Sequence, residues 1–535
     1  MTNPKFLATI FVIFVVLGIY LFKPSTYLFN PMLFAVIFGS GALGAGLWVL
    51  AIFALELEND LKDSREGTSV LLVIGAILAL CILALAGPAA YNYLPGQAQK
   101  IAGVLGTPVK IVEQRLPDLD IQNAPLVPEN LARRKAELAL ASIGSKASQL
   151  QVGKLVKQEI GGKLAWVGFL EPSGFFRWLN MDGTPGYVTV SAADHSDVNL
   201  VTEIGGKPLS LKYTDEAYFS QQIRRHTWLD SPSLHTSNFT PEIDNDGKPY
   251  YVASVIEPTV AQSGYDVVGV LIIDPQTGAI EKYSTQDAPT WVDIIQDADI
   301  IKEQIDNAGE FIHGRFNWAS LDKFKHSSFD QVFAKDGKSY WVAGVTSSTN
   351  KSGVQRFLFI DTRSKEIFDY EVNGILEDRA SQIVLDSHTK AYEASNPVPF
   401  LVNGRPTYVM SLSLGDAIYG YGMVDIESET IFSSKQTLVE TLQAYLSART
   451  NSGLPGQENV ANEDFQGTLF RIGQDAKSGN FTFLLSNQRE VFVAGPNLSN
   501  YLSLAQPGDD IQVKGQRFNE TTVNVVSFKV KNLEQ

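Results

Sequence analysis

Apolar positions along this chain follow two regimes. Near the N-terminus lie three almost unbroken apolar runs, over 6–22, 32–55 and 69–88. Each is close to the roughly 20 residues that a helix needs to cross about 30 Å of hydrocarbon. The pattern predicts three transmembrane helices forming an anchor over 1–91. In the second run, Ser40 with Gly44, Gly41 with Ala45 and Ala42 with Gly46 place small residues at four-residue spacing, which lets helices pack closely. Lys5, Lys62 and Arg65 flank the runs so that the N-terminus and the second loop face the cytoplasm by the positive-inside rule. The expectation is a multi-pass protein of a bacterial inner membrane, with the bilayer as a partner and the rest of the chain extracytoplasmic. A cleaved signal peptide fits worse, because two further runs follow the first.

Past residue 91 the pattern becomes short strands and turns. Asp246-Gly247-Lys248, Asp336-Gly337-Lys338 and Asn403-Gly404-Arg405 each lead into an aromatic, β-branched strand, and Gly162-Lys163 opens a weaker fourth copy. In three copies a second strand runs into Asp274, Asp361 or Asp425 and then turn residues. Such aspartates cap their own backbone and are read as structural. Stretches over 132–157, 214–228, 291–307 and 376–394 carry apolar spacing near 3.6 and are expected to be helical. The fold class expected is therefore an α+β body, 132–448, of helix plus antiparallel-sheet modules, reached through a connecting segment at 92–131.

The strand ending in Asp274, Thr277, Gly278 and Ile280, with the Gly162 and Gly247 segments, resembles the PepSY-type domains of bacterial envelope proteins. The resemblance implies extracytoplasmic modules that bind or restrain peptidases and wall enzymes, and it supplies no catalytic residue.

Residues 449–464 are polar and turn-rich, as a linker is. Beyond them, over 465–535, five strand-like segments with a short helical piece near Leu498 to Leu504 resemble the OB-fold, a small Greek-key barrel. Phe470, Arg471, Phe481, Arg489, Lys514 and Arg517 are its candidate binding face.

Charge narrows the partners. The net charge of −15 falls on the middle of the chain, which disfavours phosphate backbones, so nucleic acid is not expected as a partner. The one cysteine, Cys81, lies in the third apolar run, leaving the body without disulfides. No Walker loop, His-Glu-x-x-His or Gly-x-Ser-x-Gly occurs, and the six histidines lack metal-ligand spacing. No catalytic residue, metal or cofactor is expected. The function expected is a non-enzymatic scaffold or regulatory binding protein of an envelope assembly, with protein partners and self-association. The alternative is an envelope hydrolase or peptidase regulator with a site between modules, for which His313 and Glu310 would supply an acid/base pair.

Overall fold

The computed structural model describes residues 90–107, 109–110, 116–121, 123–333, 337–349, 353–451, 463–474, 481–486, 488–495, 498–499, 501–517 and 522–531, with 13, 15, 16 and 19 besides. Apart from 13, 15, 16 and 19, the three apolar runs, and with them Ser40, Gly41, Gly44 and Gly46, lie outside the described residues. Among the described residues no helix is long and apolar enough to cross a membrane. The expected multi-pass location and membrane anchor are corrected on that ground and are carried no further.

The body is mostly β-sheet. Four sheets are each built on four antiparallel strands running up and down in chain order; Val109–Lys110 adds a parallel edge to sheet III, and Glu393–Ala394 a short antiparallel one to sheet IV. Sheet I holds β1 (Leu150–Ile160), β2 (Lys163–Pro172), β3 (Tyr187–Ser191) and β4 (Val198–Val201). Sheet II holds β5 (Thr240–Ile243), β6 (Pro249–Val260), β7 (Ser263–Ile273) and β8 (Ile280–Ser284). Sheet III holds β9 (Phe324–Phe333), β10 (Ser339–Ser347), β11 (Val354–Asp361) and β12 (Ile367–Gly374). Sheet IV holds β13 (Val398–Val402), β14 (Arg405–Leu414), β15 (Ala417–Asp425) and β16 (Phe432–Lys435). The helices are α1 (Gln97–Gly103), α2 (Glu129–Leu140), α3 (Phe175–Leu179), α4 (Ile223–Asp230), α5 (Ala298–Glu310), α6 (Glu377–Asp386) and α7 (Leu438–Asn451).

Contacts divide the chain into two compact units, 1–112 with 127–372, and 113–126 with 373–535. In the first, sheets stack face to face. Val167, Phe169 and Tyr187 of sheet I pack on Tyr251, Ala253, Val255, Leu271 and Ile273 of sheet II. The opposite face of sheet II, Val252, Ile256, Val270 and Ile272, packs on Val292, Ile295 and Ile300. Further along α5, Ile301 and Ile305 turn to Trp341, Ala343, Leu358 and Ile360 of sheet III. This overturns the expected α+β class of helix-covered modules. Strands such as Val270-Leu-Ile-Ile273 are apolar on both faces, and such strands demand cover on both sides.

The expected helices shrink for related reasons. Residues 132–157 split into the end of α2, a 3₁₀ segment (Ala141–Gln149) and the first part of β1. The helix expected over 214–228 is the 3₁₀ turn Phe219–Gln221 followed by α4.

In the second unit, β17 (Glu463–Gln474), β18 (Phe481–Leu485), β19 (Val491–Ala494), β20 (Asp510–Arg517) and β21 (Thr522–Val530) close a barrel in the order β17-β18-β19-β21-β20. β19 and β21 pair in parallel, and Phe483, Phe492 and Phe528 fill the interior. The helical piece expected near Leu498 to Leu504 is a series of turns where it is described. Residues 452–462, most of the expected linker, lie outside the described residues, and α7 reaches Asn451.

Candidate functional site

The repeat residues build corners. Gly162, Gly247, Gly337 and Gly404 each sit in the turn before the second strand of their sheet, at φ between 74° and 84°, the left-handed region open to glycine. The cation after the glycine meets the aspartate ending the third strand in three sheets. Lys248 Nζ lies 3.1 Å from Asp274, Lys338 Nζ 3.3 Å from Asp361, and Arg405 Nε 2.8 Å from Asp425. Each aspartate also accepts backbone N–H bonds in its turn, from Gln276, from Arg363 and Ser364, and from Glu427. In sheet I the Ser191 hydroxyl accepts from Ala193 and Asp194 at the matching place.

The candidate barrel residues differ in exposure. Phe481 is buried in the core, while Phe470, Arg471 and Arg489 are exposed. Lys514 lies 3.8 Å from Asp464, and Arg517 is in β20, its side chain outside what is described. His313 and Glu310 do not pair with each other. His313 Nε2 lies 2.8 Å from Asp322, and Glu310 accepts from Lys323 at 2.6 Å. Among the described residues no group of three His, Cys, Asp or Glu could hold a metal ion.

What the structure does bring together is a cleft beside sheet I that no sequence pattern marked as a site. Pro172, Trp178, Met181, Gly183, Thr184, Leu211, Lys212, Thr214 and Gln221 line it. It is a small, partly open cleft of about 200 Å³ counted out into solvent, and about 10 Å³ of it can take the centre of a water-sized group. Gly183, at φ 93°, forms part of the wall where an added Cβ would lie 2.4 Å from Ser210 Oγ. Trp178 is fixed by donating from Nε1 to Gln221 at 3.0 Å. Around it stand Phe175, Tyr218 and Phe219, with ring centroids 5.1 to 6.1 Å apart, and Phe176 next to Phe175. Phe176 is 75% exposed and Phe219 54%. Phe219 holds φ 53°, a backbone state that costs a residue with a Cβ about 1–2 kcal/mol.

Two features give the cleft its chemistry. Thr214 is 1% exposed, and its Oγ1 has no hydrogen-bond partner among the described residues. Next to the wall residue Pro172, the Glu171 carboxylate site is buried and accepts from Tyr251 Oη at 2.9 Å. Burial pushes Glu171 up to about 7, nearby Asp215 and Glu216 add to the rise, and the Tyr251 bond opposes it. Space for this carboxyl depends on Gly153, where an added Cβ would fall 2.7 Å from Glu171 Cδ. Lys212, the cation on the wall, is paired with Asp182 at 2.8 Å.

Further along sheet II, Glu242 is fully buried and accepts from Asp293 N at 2.9 Å. Burial, then the charge of Asp293, raises it to about 8. Burial also raises Asp293 to about 6, although it accepts from Gln331 and Glu159 N.

No family model matches this chain, and no curated protein matches it. Among solved structures it is similar to a GH43 β-1,3-galactosidase with galactodeoxynojirimycin, at 11% identity over 70% of this chain and 93% of that one, TM-score 0.19. An exo-β-1,3-galactanase from Clostridium thermocellum is similar at 11% identity over 70% of this chain and 60% of that one, TM-score 0.18. A Synechocystis apocarotenoid oxygenase mutant is similar at 10% identity over 73% and 67%, TM-score 0.14. The PepSY resemblance is corrected by the absence of a matching family and by the stacked sheets. The expectation of a non-enzymatic envelope scaffold rested on that resemblance and is set aside with it. TM-scores this low put no particular activity in its place.

Proposed function

We propose that the first unit binds a neutral, hydroxyl-bearing saturated ring, of the kind found in glycans, at the Trp178 cleft. The observation that carries this reading is Thr214, a wall residue whose buried hydroxyl has no partner among the described residues. A buried polar group left unpaired costs about 1–3 kcal/mol, and a ligand hydroxyl that reaches Thr214 recovers it. The aromatic faces outside carry partial negative charge and take the C–H face of a saturated ring. Neutrality follows from the wall, where the one cation, Lys212, is already paired with Asp182, and from the buried Glu171 next in sequence to Pro172, which keeps its proton up to about pH 7.

The test is tryptophan emission of the full chain titrated with a panel of neutral oligosaccharides, compared with Trp178→Phe. Saturable change that disappears in Trp178→Phe and weakens at least tenfold in Thr214→Val supports the reading. A panel with no member that alters Trp178 emission overturns it.

A second reading makes Glu171 an acid toward the same ligand, favoured by the proton it holds near neutral pH. Reducing-end release from a bound oligosaccharide, lost in Glu171→Gln while Trp178 still responds, would distinguish catalysis from binding alone.

A further inference from the structure

The four sheets share a backbone clamp, and sheet II uses it differently. In sheets II, III and IV the residue after the third-strand aspartate, and in sheet I the residue after Ser191, offers its carbonyl to the segment ahead of a helix. Val127 N donates to Ala192 O at 2.8 Å, Ile295 and Gln296 N to Thr362 O at 3.0 and 2.8 Å, and Ile375 N to Ile426 O at 2.9 Å. In these three the helix begins at once, at Glu129, Ala298 and Glu377. In sheet II the donors are Lys212 and Tyr213 N, to Pro275 O at 2.8 and 2.9 Å. There α4 does not begin until Ile223. The chain between is a loop, 214–222, that brings Thr214 and Gln221 to the cleft wall and sets Tyr218 and Phe219 beside Trp178.

The loop is braced at both ends. Thr214 O accepts from Ile223 N at 3.0 Å, and Gln221 holds the Trp178 indole. Its first end rests on the corner of sheet II. His226 Nε2 donates to Gly278 O at 2.7 Å, since a carbonyl only accepts, and the His226 ring lies 4.3 Å from that of Tyr213. Gly278 is glycine for reasons of space rather than of backbone shape. Lys365 takes the same place in sheet III, its N–H on the carbonyl of Asp361 as that of Gly278 is on Asp274, and it holds φ 64° while carrying a Cβ. At Gly278 an added Cβ would fall 2.6 Å from Tyr213 Cζ and 3.0 Å from His226 Nε2. Tyr213 lies between the wall residues Lys212 and Thr214, so its close approach to the corner is what excludes a side chain at 278.

We propose that Gly278 and His226 are positioning residues of the Trp178 cleft, setting the start of the 214–222 loop and through it the places of Thr214 and Gln221. The inference rests on the cleft being the binding site. It makes that loop, an extension in one sheet of the four, the segment that selects the ligand, carried on a clamp that the other sheets use only to start a helix.

The experiment compares Gly278→Ala with Gly337→Ala. Gly337 has the same backbone state, φ 79° against 78°, but nothing within 4 Å of an added Cβ, so its variant carries the strain without the collision. Acrylamide quenching is read in the full chain without ligand, with Trp178→Phe made in each background and its signal subtracted to isolate Trp178. The expected result is a Trp178 quenching constant about twofold higher in Gly278→Ala and unchanged in Gly337→Ala, the two variants melting alike. His226→Phe, which keeps a ring and removes the donor, should show a smaller rise, and it decides the matter if Gly278→Ala does not fold. An unchanged Trp178 overturns the proposal, as does an equal rise in Gly337→Ala, which would assign the effect to strain. A neutral oligosaccharide that shifts Trp178 emission in the parent should bind about tenfold more weakly to Gly278→Ala, the loss of one hydrogen bond to Thr214, and equal affinity would overturn the proposal as well. If no oligosaccharide shifts the parent, the binding reading fails, and the ligand-free quenching still decides whether the corner positions Trp178.

Discussion

Sheet IV and sheet II bury carboxyl groups by opposite means. Asp425 is fully buried and faces a two-pronged Arg405, with Nε 2.8 Å from Oδ2 and Nη2 3.1 Å from Oδ1, while Tyr445 Oη donates to it at 3.3 Å. Glu242 is as deeply buried but accepts only neutral donors. The nearest guanidinium, Arg363, gives its N–H groups to the carbonyls of Ala288, Pro289 and Val292. A fork of fixed geometry compensates the first acid, and a retained proton compensates the second. The lesson is that burial alone does not tell whether a carboxyl is locked into its place or left responsive to pH.

Removing the fork should have the largest effect. Arg405→Ala leaves the Asp425 charge buried and unpaired, which destabilises by about 3–5 kcal/mol. Thermal melting of the variant checks this, and Arg405→Lys should recover only part because it keeps the charge without the two-pronged geometry. A melt within a degree of the parent would mean that the pair does not hold sheet IV.

The Glu242 side of the comparison is a matter of pH. Its folded value, about 8, lies above the ordinary 4.5, so the folded state binds more protons than the unfolded state between them. Stability from this group is present below about 4.5 and is lost as pH rises through about 8, by at most about 1.4 kcal/mol per pH unit. Asp293, raised from 3.8 to about 6, acts in the same direction. Melting temperature should therefore fall across this window, and Glu242→Gln should flatten the fall and melt higher at its alkaline end. Identical pH profiles for parent and variant would refute the assignment.

Gly153→Ala extends the contrast to Glu171, another acid without a cation. The added carbon would fall 2.7 Å from Glu171 Cδ, and such overpacking costs about 1–3 kcal/mol. The loss should appear both in chemical denaturation and as a weaker response at the Trp178 cleft. The smallest effect belongs to Lys248→Ala. Its side chain is 38% exposed, so losing the Asp274 pair should change stability by less than about 1 kcal/mol.

Local chemistry was the legible part of this sequence. A glycine with a cation after it, and an aspartate before turn residues, describe corners whose geometry is settled within a few neighbours. The stacking of sheets is not local. Whether a two-faced apolar strand such as Val270–Ile273 meets a helix or another sheet depends on residues far along the chain. At β1 the pattern itself misleads. A register shift between Val152 and Leu155 breaks the two-residue alternation and leaves Val152, Leu155 and Val156 at helical spacing. The cleft was invisible because Pro172, Trp178 and Thr214 meet only in the fold. Its one trace in the sequence is the pair of aromatic clusters, Phe175-Phe176 with Trp178 and Tyr218-Phe219, set in turn-like surroundings. His313 and Glu310 did stand out as an acid/base pair, but they bond Asp322 and Lys323 rather than each other.

The corner pairs carry a consequence for how the chain reaches its native state. Arg405 and Asp425 are 20 residues apart, and each pair spans a single hairpin of its own sheet. Contacts of such short range form early, whereas facing one sheet onto the next in the first unit joins distant segments. The four-strand run of each sheet is therefore a local unit that can form before its neighbours arrive, with the face-to-face stacking, and the distant Val109–Lys110 edge of sheet III, as the slower steps.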